Sequence, residues 1–535
     1  MIPLSLAEIA AATGAELAGA DPDAVVTGPV EYDSRRVGPG GLFVAFSGEK
    51  VDGHDFAAAA VDAGAVAVLG TRPVAGVPML VVPERAQPEP GSGGGGHAPG
   101  SSAVGSSAVG SSAAGSSAVG SSAAGSSAGL TAMGRLARTV LDRLPGLTVV
   151  GITGSSGKTT TKDMIAQLLG RLGPCVAAAG SLNNELGLPH TVLRADAGTR
   201  FLVLEMGSRG AGHLTYLCEI APPDIGVVIN VGVAHIGEFG SVEGIAVAKG
   251  ELVEALDETG TAVLNADDER VRAMAGRTRA RVVLAGEAPD AAVRAEQVSL
   301  DAAGRASFVL VTAQGRAPVR LAVTGRHQVG NALLAATVAI EAGMDLPDVA
   351  AALGELRPLS NRRMDVFDRA DGVTVIDDSY NANPGSTATA LNALAALGRG
   401  DPSGSARGAG AVGDPSGSAH GGRGGAGRGG RRTIAVLGYH AELGDYERAG
   451  HEEVGRLAAQ LGVDLLVVVG DSAAPIHDGA VSVATWGGKS VQVTDQPAAI
   501  ALLREELAAG DVVLVKGSRY RTWDVVDALR EGATP

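Results

Sequence analysis

Residues 147–170 read LTVVGITGSSGKTTTKDMIAQLLG. An apolar run, a turn of glycine, serine, lysine and threonine, and an amphipathic helical stretch together make a phosphate cradle. Backbone amides and a helix N-terminus supply positive potential where the chain turns. The strict Walker spacing needs glycine where Ile152 stands, so the general pattern fails there. What remains, Thr153-Gly154-Ser155-Ser156-Gly157-Lys158-Thr159-Thr160, keeps the strand and helix context that points to nucleoside triphosphate binding. The competing reading is a glycine-rich turn without a ligand. In the first reading Lys158 reaches the β and γ phosphates and Thr159 ligates Mg²⁺.

Outward from that loop, buried-strand candidates at 147–152, 201–205, 225–230 and 261–264 alternate with helical stretches, which predicts a mostly parallel sheet over 130–357. The rhythm returns at 373–376, 433–437, 465–469 and 512–515, so 358–535 reads as a Rossmann-like doubly wound domain. Ahead of both, residues 1–90 hold a short helix with a Ser5/Glu8 capping box, strand-like runs at 25–32 and 42–46, and a helix from about Asp55 leading into 65–69. The expected fold class is therefore α/β in three domains. These are a small N-terminal α/β substrate domain, a central P-loop mononucleotide-binding domain with a parallel sheet, and a C-terminal doubly wound domain. A length of 535 residues suits three cores.

Two inserts interrupt this plan. Residues 91–129 become Gly-rich and then repeat Ser-Ser-Ala-Val-Gly or Ser-Ser-Ala-Ala-Gly, too weakly apolar to offset chain entropy, and read as a flexible linker. Five-residue units this small also offer nothing to stack as a repeat protein. Around 400–430, Asp-Pro-Ser-Gly-Ser-Ala occurs twice before GGRGGAGRGGRR. A disordered surface loop is the expectation there, against an Arg-Gly tract for RNA.

With 43 basic and 58 acidic side chains, a net charge of −15, the chain is a poor general binder of nucleic acid or anionic membrane. Cys175 and Cys218 are too far apart, and too few, for a disulfide framework or zinc site. MIPLSLAEIAAATG lacks a basic n-region and carries Glu8 among its apolar residues, so no signal peptide is expected there. The longest uncharged run, within 98–134, is Ser, Gly and Ala, too weakly apolar to span a bilayer. The expectation is a cytoplasmic monomer.

Further blocks follow the phosphate loop in a fixed order. They are Asn183-Asn184-Glu185-Leu186-Gly187-Leu188-Pro189; Glu205-Met206-Gly207; Asn230; Ala234-His235; Gly237-Glu238-Phe239-Gly240-Ser241; and Ala248-Lys249-Gly250-Glu251. Next come Gly325-Arg326-His327-Gln328 with Asn331, then Arg363-Met364-Asp365, then Asp377-Asp378-Ser379-Tyr380-Asn381-Ala382-Asn383-Pro384, and last Lys516-Gly517-Ser518-Arg519. With Thr-Gly-Ser-x-Gly-Lys-Thr-Thr, these resemble the Mur ligase and folylpolyglutamate synthase superfamily over nearly the whole chain except the inserts. Asp33-Ser34-Arg35 and Gly48-Glu49-Lys50-x-Asp52-Gly53-His54-x-Phe56 resemble the UDP-sugar-binding domain of the tripeptide-adding and dipeptide-adding Mur ligases. The asparagine-rich blocks favour the dipeptide-adding branch. A folylpolyglutamate synthase would share the ATP loop but not this N-terminal domain.

The resemblance implies an ATP-dependent amide ligase that activates a UDP-linked muramoyl tripeptide as an acyl phosphate and joins it to D-alanyl-D-alanine. It implies Lys158, Lys249, His235 and Arg363 as catalytic groups. Thr153 to Thr160, Gln328, Asn331, Arg363 and Asp378 would bind ATP, and Thr159, Glu205, His235 and Lys249 would serve Mg²⁺, with a carbamate often carried on the lysine matching Lys249. Ser34, Arg35, Lys50, Asp52, His54, Asn183 and Asn184 are implied for the UDP-linked substrate, and Tyr380, Asn381, Asn383, Lys516 and Arg519 for the dipeptide or domain closure. Two departures stand out. Gly438-Tyr439-His440-Ala441-Glu442-Leu443-Gly444 replaces a usual Gly-Asp-Met-x-Glu-Leu-Gly, so Tyr439 and His440 receive no role, and Gln328 replaces an asparagine while keeping its amide. A noncatalytic P-loop binding protein or a scaffold is the reading from another class. Against it, Lys158, Thr159, Glu205, His235 and Lys249 are all present.

Overall fold

Thr148–Thr153, all but fully buried and rich in β-branched residues, forms an interior strand of a nine-stranded sheet. The sheet runs Gly315–Thr324, Arg305–Thr312, Val293–Leu300, Arg281–Gly286, Thr261–Asn265, Ile225–Val228, Thr148–Thr153, Phe201–Glu205, Cys175–Ala177. The first three strands pair antiparallel, and every later pairing is parallel. Parallel strands send their carboxyl ends to one edge, where ligand sites of such sheets lie. Thr153, Glu205 and Asn265 end their strands there, and Asn230 lies just beyond Val228.

This computed structural model describes residues 1–48, 51–83, 124–233, 236–399 and 430–531. It divides into two compact units: Met1–Pro145 with Val192–Ala197, and the remainder. No helix among the described residues is long and apolar enough to cross a membrane.

The first unit holds a five-stranded sheet, in the order Glu16–Ala18, Met79–Val81, Ala67–Gly70, Leu42–Val44, Val30–Glu31, parallel except for its first pair. Its opening helix, Leu6–Thr13, has the expected capping box: Ser5 Oγ accepts from Glu8 N, and Glu8 accepts from Ser5 N at 2.8 Å. One boundary differs from the sequence reading. The helix Ala124–Asp142 begins inside the stretch read as linker, and 130–145 group with the N-terminal unit instead of heading the central domain. The reason is packing. Met133, Leu136, Ala137 and Val140 are fully buried at helical spacing, the helix packs on Leu6–Thr13, and Arg143 pairs with Glu8 at 2.9 Å. The rest of the first insert, and 400–429 of the second, lie outside the described residues.

In the second unit a six-stranded sheet follows the nine-stranded one, ordered Asp365–Asp368, Thr374–Asp377, Val512–Lys516, Thr433–Gly438, Leu465–Val469, Lys489–Val493. Only the first strand is antiparallel, and separate apolar clusters cover the two faces, which makes it doubly wound. The two sheets' domains meet at two glycines. A Cβ on Gly237 would lie 2.8 Å from Cα and N of Gly444, so backbone packs on backbone. Gly237 itself sits in ordinary helix, Ile236–Phe239, where any side chain could follow the chain; only the approach of Gly444 demands glycine.

Gly237→Ala is therefore expected to leave the melting temperature unchanged or slightly higher while turnover falls about tenfold or more, through loss of this docking alone. A variant with wild-type turnover would remove the glycine contact from any part in domain closure; kcat and thermal melting, measured together, decide it.

Candidate active site

The turn after Thr148–Thr153 enters the helix Lys158–Leu169 through Gly157, whose φ of 81° is left-handed. Asn331 Oδ1 would lie 3.0 Å from any Cβ at Gly157, so both backbone and space select glycine. Asn230 brackets the turn: Ser156 N donates to its Oδ1 at 3.0 Å, and Ser155 N to its carbonyl at 3.1 Å. These two amides are thus engaged by protein, while the first-turn amides of Lys158, Thr159 and Thr160 have no carbonyl a turn behind them in the helix and are free to meet an anion. Lys158 Nζ folds back onto Gly154 O at 2.7 Å. Burial pushes the Lys158 pKa down; Glu205 draws it up and Arg363 presses it lower. Thr153, read as an ATP-binding residue, spends its hydroxyl on Met206 O at 2.9 Å and is fully buried, so its side chain joins neighbouring strands.

Glu205, at the end of its strand, is 1% exposed. Thr159 Oγ1 donates to Oε2 at 2.9 Å, while Ser181 Oγ and Asn183 Nδ2 each donate to Oε1 at 2.7 Å. A buried carboxylate needs such donors. Asn183 thereby faces the nucleotide site, and Asn184 Oδ1 caps the next turn by accepting from Gly187 N. The hard oxygens of Thr159 and Glu205 fit a magnesium ion, which takes a carboxylate and a hydroxyl beside phosphate oxygens.

Lys249 lies on Val242–Glu254, capped by Ser241. A lysine with its stem on apolar surface would carry its ammonium into water. Lys249 is instead 5% exposed and lines the cleft. Burial first, and then the like charge of Lys158, push its amine down to about 7.

From the C-terminal domain, Lys516 Nζ donates to Asp378 Oδ2 at 2.5 Å and to Asn381 O at 2.9 Å, and Asp378 Oδ1 accepts from Met364 N. Burial lowers the Lys516 pKa and Asp378 opposes it. The Arg363 guanidinium lies over the Tyr380 ring, 4.2 Å from its centroid. Asn383 Oδ1 accepts from Ser386 N, so its side chain is used as a helix cap. All these groups line one cleft of about 380 Å³ that runs from the phosphate loop to Lys516.

Residues 29–89 match the model of the Mur ligase family catalytic domain, 152–339 the Mur ligase middle domain, and 423–519 the Mur ligase glutamate ligase domain. UDP-N-acetylmuramoyl-tripeptide--D-alanyl-D-alanine ligase of Mycobacterium tuberculosis is 47% identical, over 97% of this chain and 96% of its own. The chain belongs to the Mur ligase family. Among solved structures, MurF from Acinetobacter baumannii aligns with a TM-score of 0.76 at 26% identity, over 98% of both chains. MurF ligase from Thermotoga maritima in complex with ADP aligns at 0.70 and 25%, over 95% of this chain and 98% of that one.

Other expected site residues of this Mur ligase fall elsewhere. Gln328 is buried, accepts from Asn331 Nδ2 at 2.9 Å, and lines a separate small cavity beside Arg363, while Asn331 reaches the cleft. In the N-terminal unit Arg35 is held by Asp33 at 2.8 Å with its side chain largely in solvent, and Ser34 is half-buried. His54 is buried: Nδ1 bonds Asp52 at 2.6 Å and Nε2 accepts from Thr71 N, so both nitrogens are occupied and the ring orients Asp52. Burial would raise the Asp52 pKa, but hydrogen bonds from His54 and Arg72 hold it well below the carboxylate range. Lys50, His235 and the Arg519 side chain lie outside the described residues.

Asn265 and Ser181 line the cleft without having been singled out in the sequence, and His327 stands there in a motif quoted without a role for it. Asn265 ends a parallel strand, a position that the rule for such sheets marks. His327 faces the cleft, and burial first, then Lys516, lower its pKa to about 4 against the pull of Asp378. Tyr439 and His440, left without a role, pack inside the C-terminal domain, each ring stacked on His451.

Arg363→Ala is expected to cut turnover about a hundredfold while moving the melting temperature little, because the guanidinium contacts an aromatic face and the open cleft and not the core. A variant that mainly melts earlier would make Arg363 a structural residue.

Proposed function

We propose that this chain joins D-alanyl-D-alanine to UDP-N-acetylmuramoyl-tripeptide at the expense of ATP, in cytoplasmic peptidoglycan precursor synthesis. The single observation that supports it is the union, in one cleft, of a phosphate loop, a buried glutamate and a depressed lysine with arginine, aspartate and lysine from the C-terminal domain, in a chain whose near-full-length relatives are named for that reaction.

A carboxylate is a poor electrophile, and bringing it to the γ phosphate crowds two anions. In our reading Lys158, freed from Gly154 O, and the first-turn amides of 158 to 160 hold the β and γ phosphates, and Asn331 and Asp378 flank the nucleoside. Thr159 and Glu205 would hold Mg²⁺, with Lys249 and His235 bearing on a second ion; metal there screens the triphosphate charge. The terminal carboxylate oxygen of the tripeptide attacks the γ phosphorus, the bond to the β-phosphate oxygen breaks, and ADP leaves. The neutral amine of the dipeptide then attacks the acyl carbon, phosphate leaves, and the amine's proton is released. Arg363 from the C-terminal domain faces the transferred phosphoryl group and helps exclude water from the acyl phosphate. In the N-terminal unit Ser34, Arg35, Lys50 and Asp52, the last oriented by His54, are the groups for the UDP-linked substrate; in the second unit Asn183 and Asn184 are. Tyr380, Asn381, Asn383, Lys516 and Arg519 form the dipeptide and closure region.

Phosphate release is expected only when ATP, a UDP-tripeptide and D-alanyl-D-alanine are all supplied. Comparing tripeptides ending in lysine or diaminopimelate will rank the third residue. Equal release with glutamate as amine donor, or without the UDP-tripeptide, would overturn the assignment.

Lys249 supplies a second test. Its amine sheds a proton as pH rises through about 7, and the neutral nitrogen adds to the carbon of CO₂ and releases a second proton to water to give a carbamate, replacing a cation that repels Mg²⁺ with an anion that binds it. Activity is expected to rise across that pH and with added bicarbonate. Lys249→Ala should lose most activity and regain part with a small carboxylic acid. A fully active Lys249→Arg would end the carbamate proposal and leave the ligase reading intact.

A further inference from the structure

The helix that carries the phosphate loop also carries a lysine given no part so far. Lys162 is fully buried, one turn beyond Lys158. Its ammonium meets three oxygen atoms, donating to Ala178 O at 2.5 Å and Gly180 O at 2.8 Å and ion-paired with Asp163 Oδ1 at 2.9 Å. Two of those acceptors are main-chain carbonyls of the stretch after the edge strand Cys175–Ala177, a stretch without regular structure up to the helix at Gly187. Such a segment lacks a ladder to hold it, and a buried cation gripping its carbonyls replaces one. Immediately after the gripped residues come Ser181 and Asn183, the two donors to Glu205 Oε1.

We propose that Lys162 is a positioning residue for the nucleotide and metal site: it pins the 178–183 segment so that Ser181 and Asn183 orient Glu205, leaving Oε2 beside Thr159 toward the metal. Because Asn183 ends that segment and Asn184 follows it, Lys162 also couples the nucleotide helix to the peptide-binding side of the cleft. The inference rests on the proposed ligase reading for the ligand's identity, but its test does not require turnover.

The experiment is calorimetric binding of ADP to the full chain, once with Mg²⁺ and once with a chelator, for wild type, Lys162→Met, Ser181→Ala and the double variant. Lys162→Met is expected to lower affinity for ADP with Mg²⁺ about tenfold and leave affinity in chelator unchanged, since the first-turn amides and Lys158 are untouched. Ser181→Ala should show the same selective loss, and the double variant should lose no more than the larger single loss, because both act on one carboxylate. Additive losses, an equal loss with and without Mg²⁺, or wild-type binding in either single variant would overturn the proposal. Should Lys162→Met fail to fold, Ser181→Ala still decides: unaltered Mg²⁺-dependent binding there removes the route through Glu205. A chain that shows this binding pattern but no phosphate release would sink the ligase reading and spare this one.

Discussion

A carboxylate held at 1% exposure, Glu205, is the constraint around which the second unit is arranged. An isolated buried charge costs several kcal/mol in practice, so its oxygens must be met by donors or metal. The three donors come from two stretches of the chain: Thr159 on the phosphate-loop helix, and Ser181 and Asn183 on the segment after the edge strand. Meeting Glu205 therefore fixes the helix, the segment and the strand against one another. The parallel sheet makes this possible by register, with Glu205 opposite Ile152, so that the acid lies beside the start of the phosphate turn.

The C-terminal domain completes the cleft with groups whose geometry is also set by a buried ion pair. Lys516 ends one strand and Asp378 directly follows its parallel neighbour, and their pairing holds Met364 N and Asn381 O as well. Arg363 and Met364 thus leave the domain linker at a defined place, although Met364 carries a left-handed φ of 53°. Close approach of the two domains is allowed where both have glycine, at 237 and 444, which means that neither side chain volume nor charge separates them. Only backbone meets backbone there.

Much of this was legible from local pattern. Strand and helix alternation, the phosphate turn and the Ser5/Glu8 cap depend on periodicity and on hydrogen bonds within a few residues, which a sequence displays directly. The linker boundary was misplaced because a helix of small residues, Ala124–Asp142, resembles its Ser/Ala/Gly repeat until packing on Leu6–Thr13 reveals its apolar stripe. His54 and Thr153 show the opposite limit. Each belongs to a motif, yet burial and satisfied hydrogen bonds give it a holding part, and exposure is a property of the whole fold.

By itself, then, the order of residues determined an α/β plan with a phosphate loop and the family resemblance, because these rest on spacing along one chain. Tertiary structure alone decided which polar groups meet. It joined Lys162 to carbonyls sixteen and eighteen residues away, placed Lys516 on Asp378 across 138 residues, and withdrew Lys249 from water so that its amine sits near neutrality. Desolvation and hydrogen-bond geometry act through space, and no spacing rule along the chain encodes them.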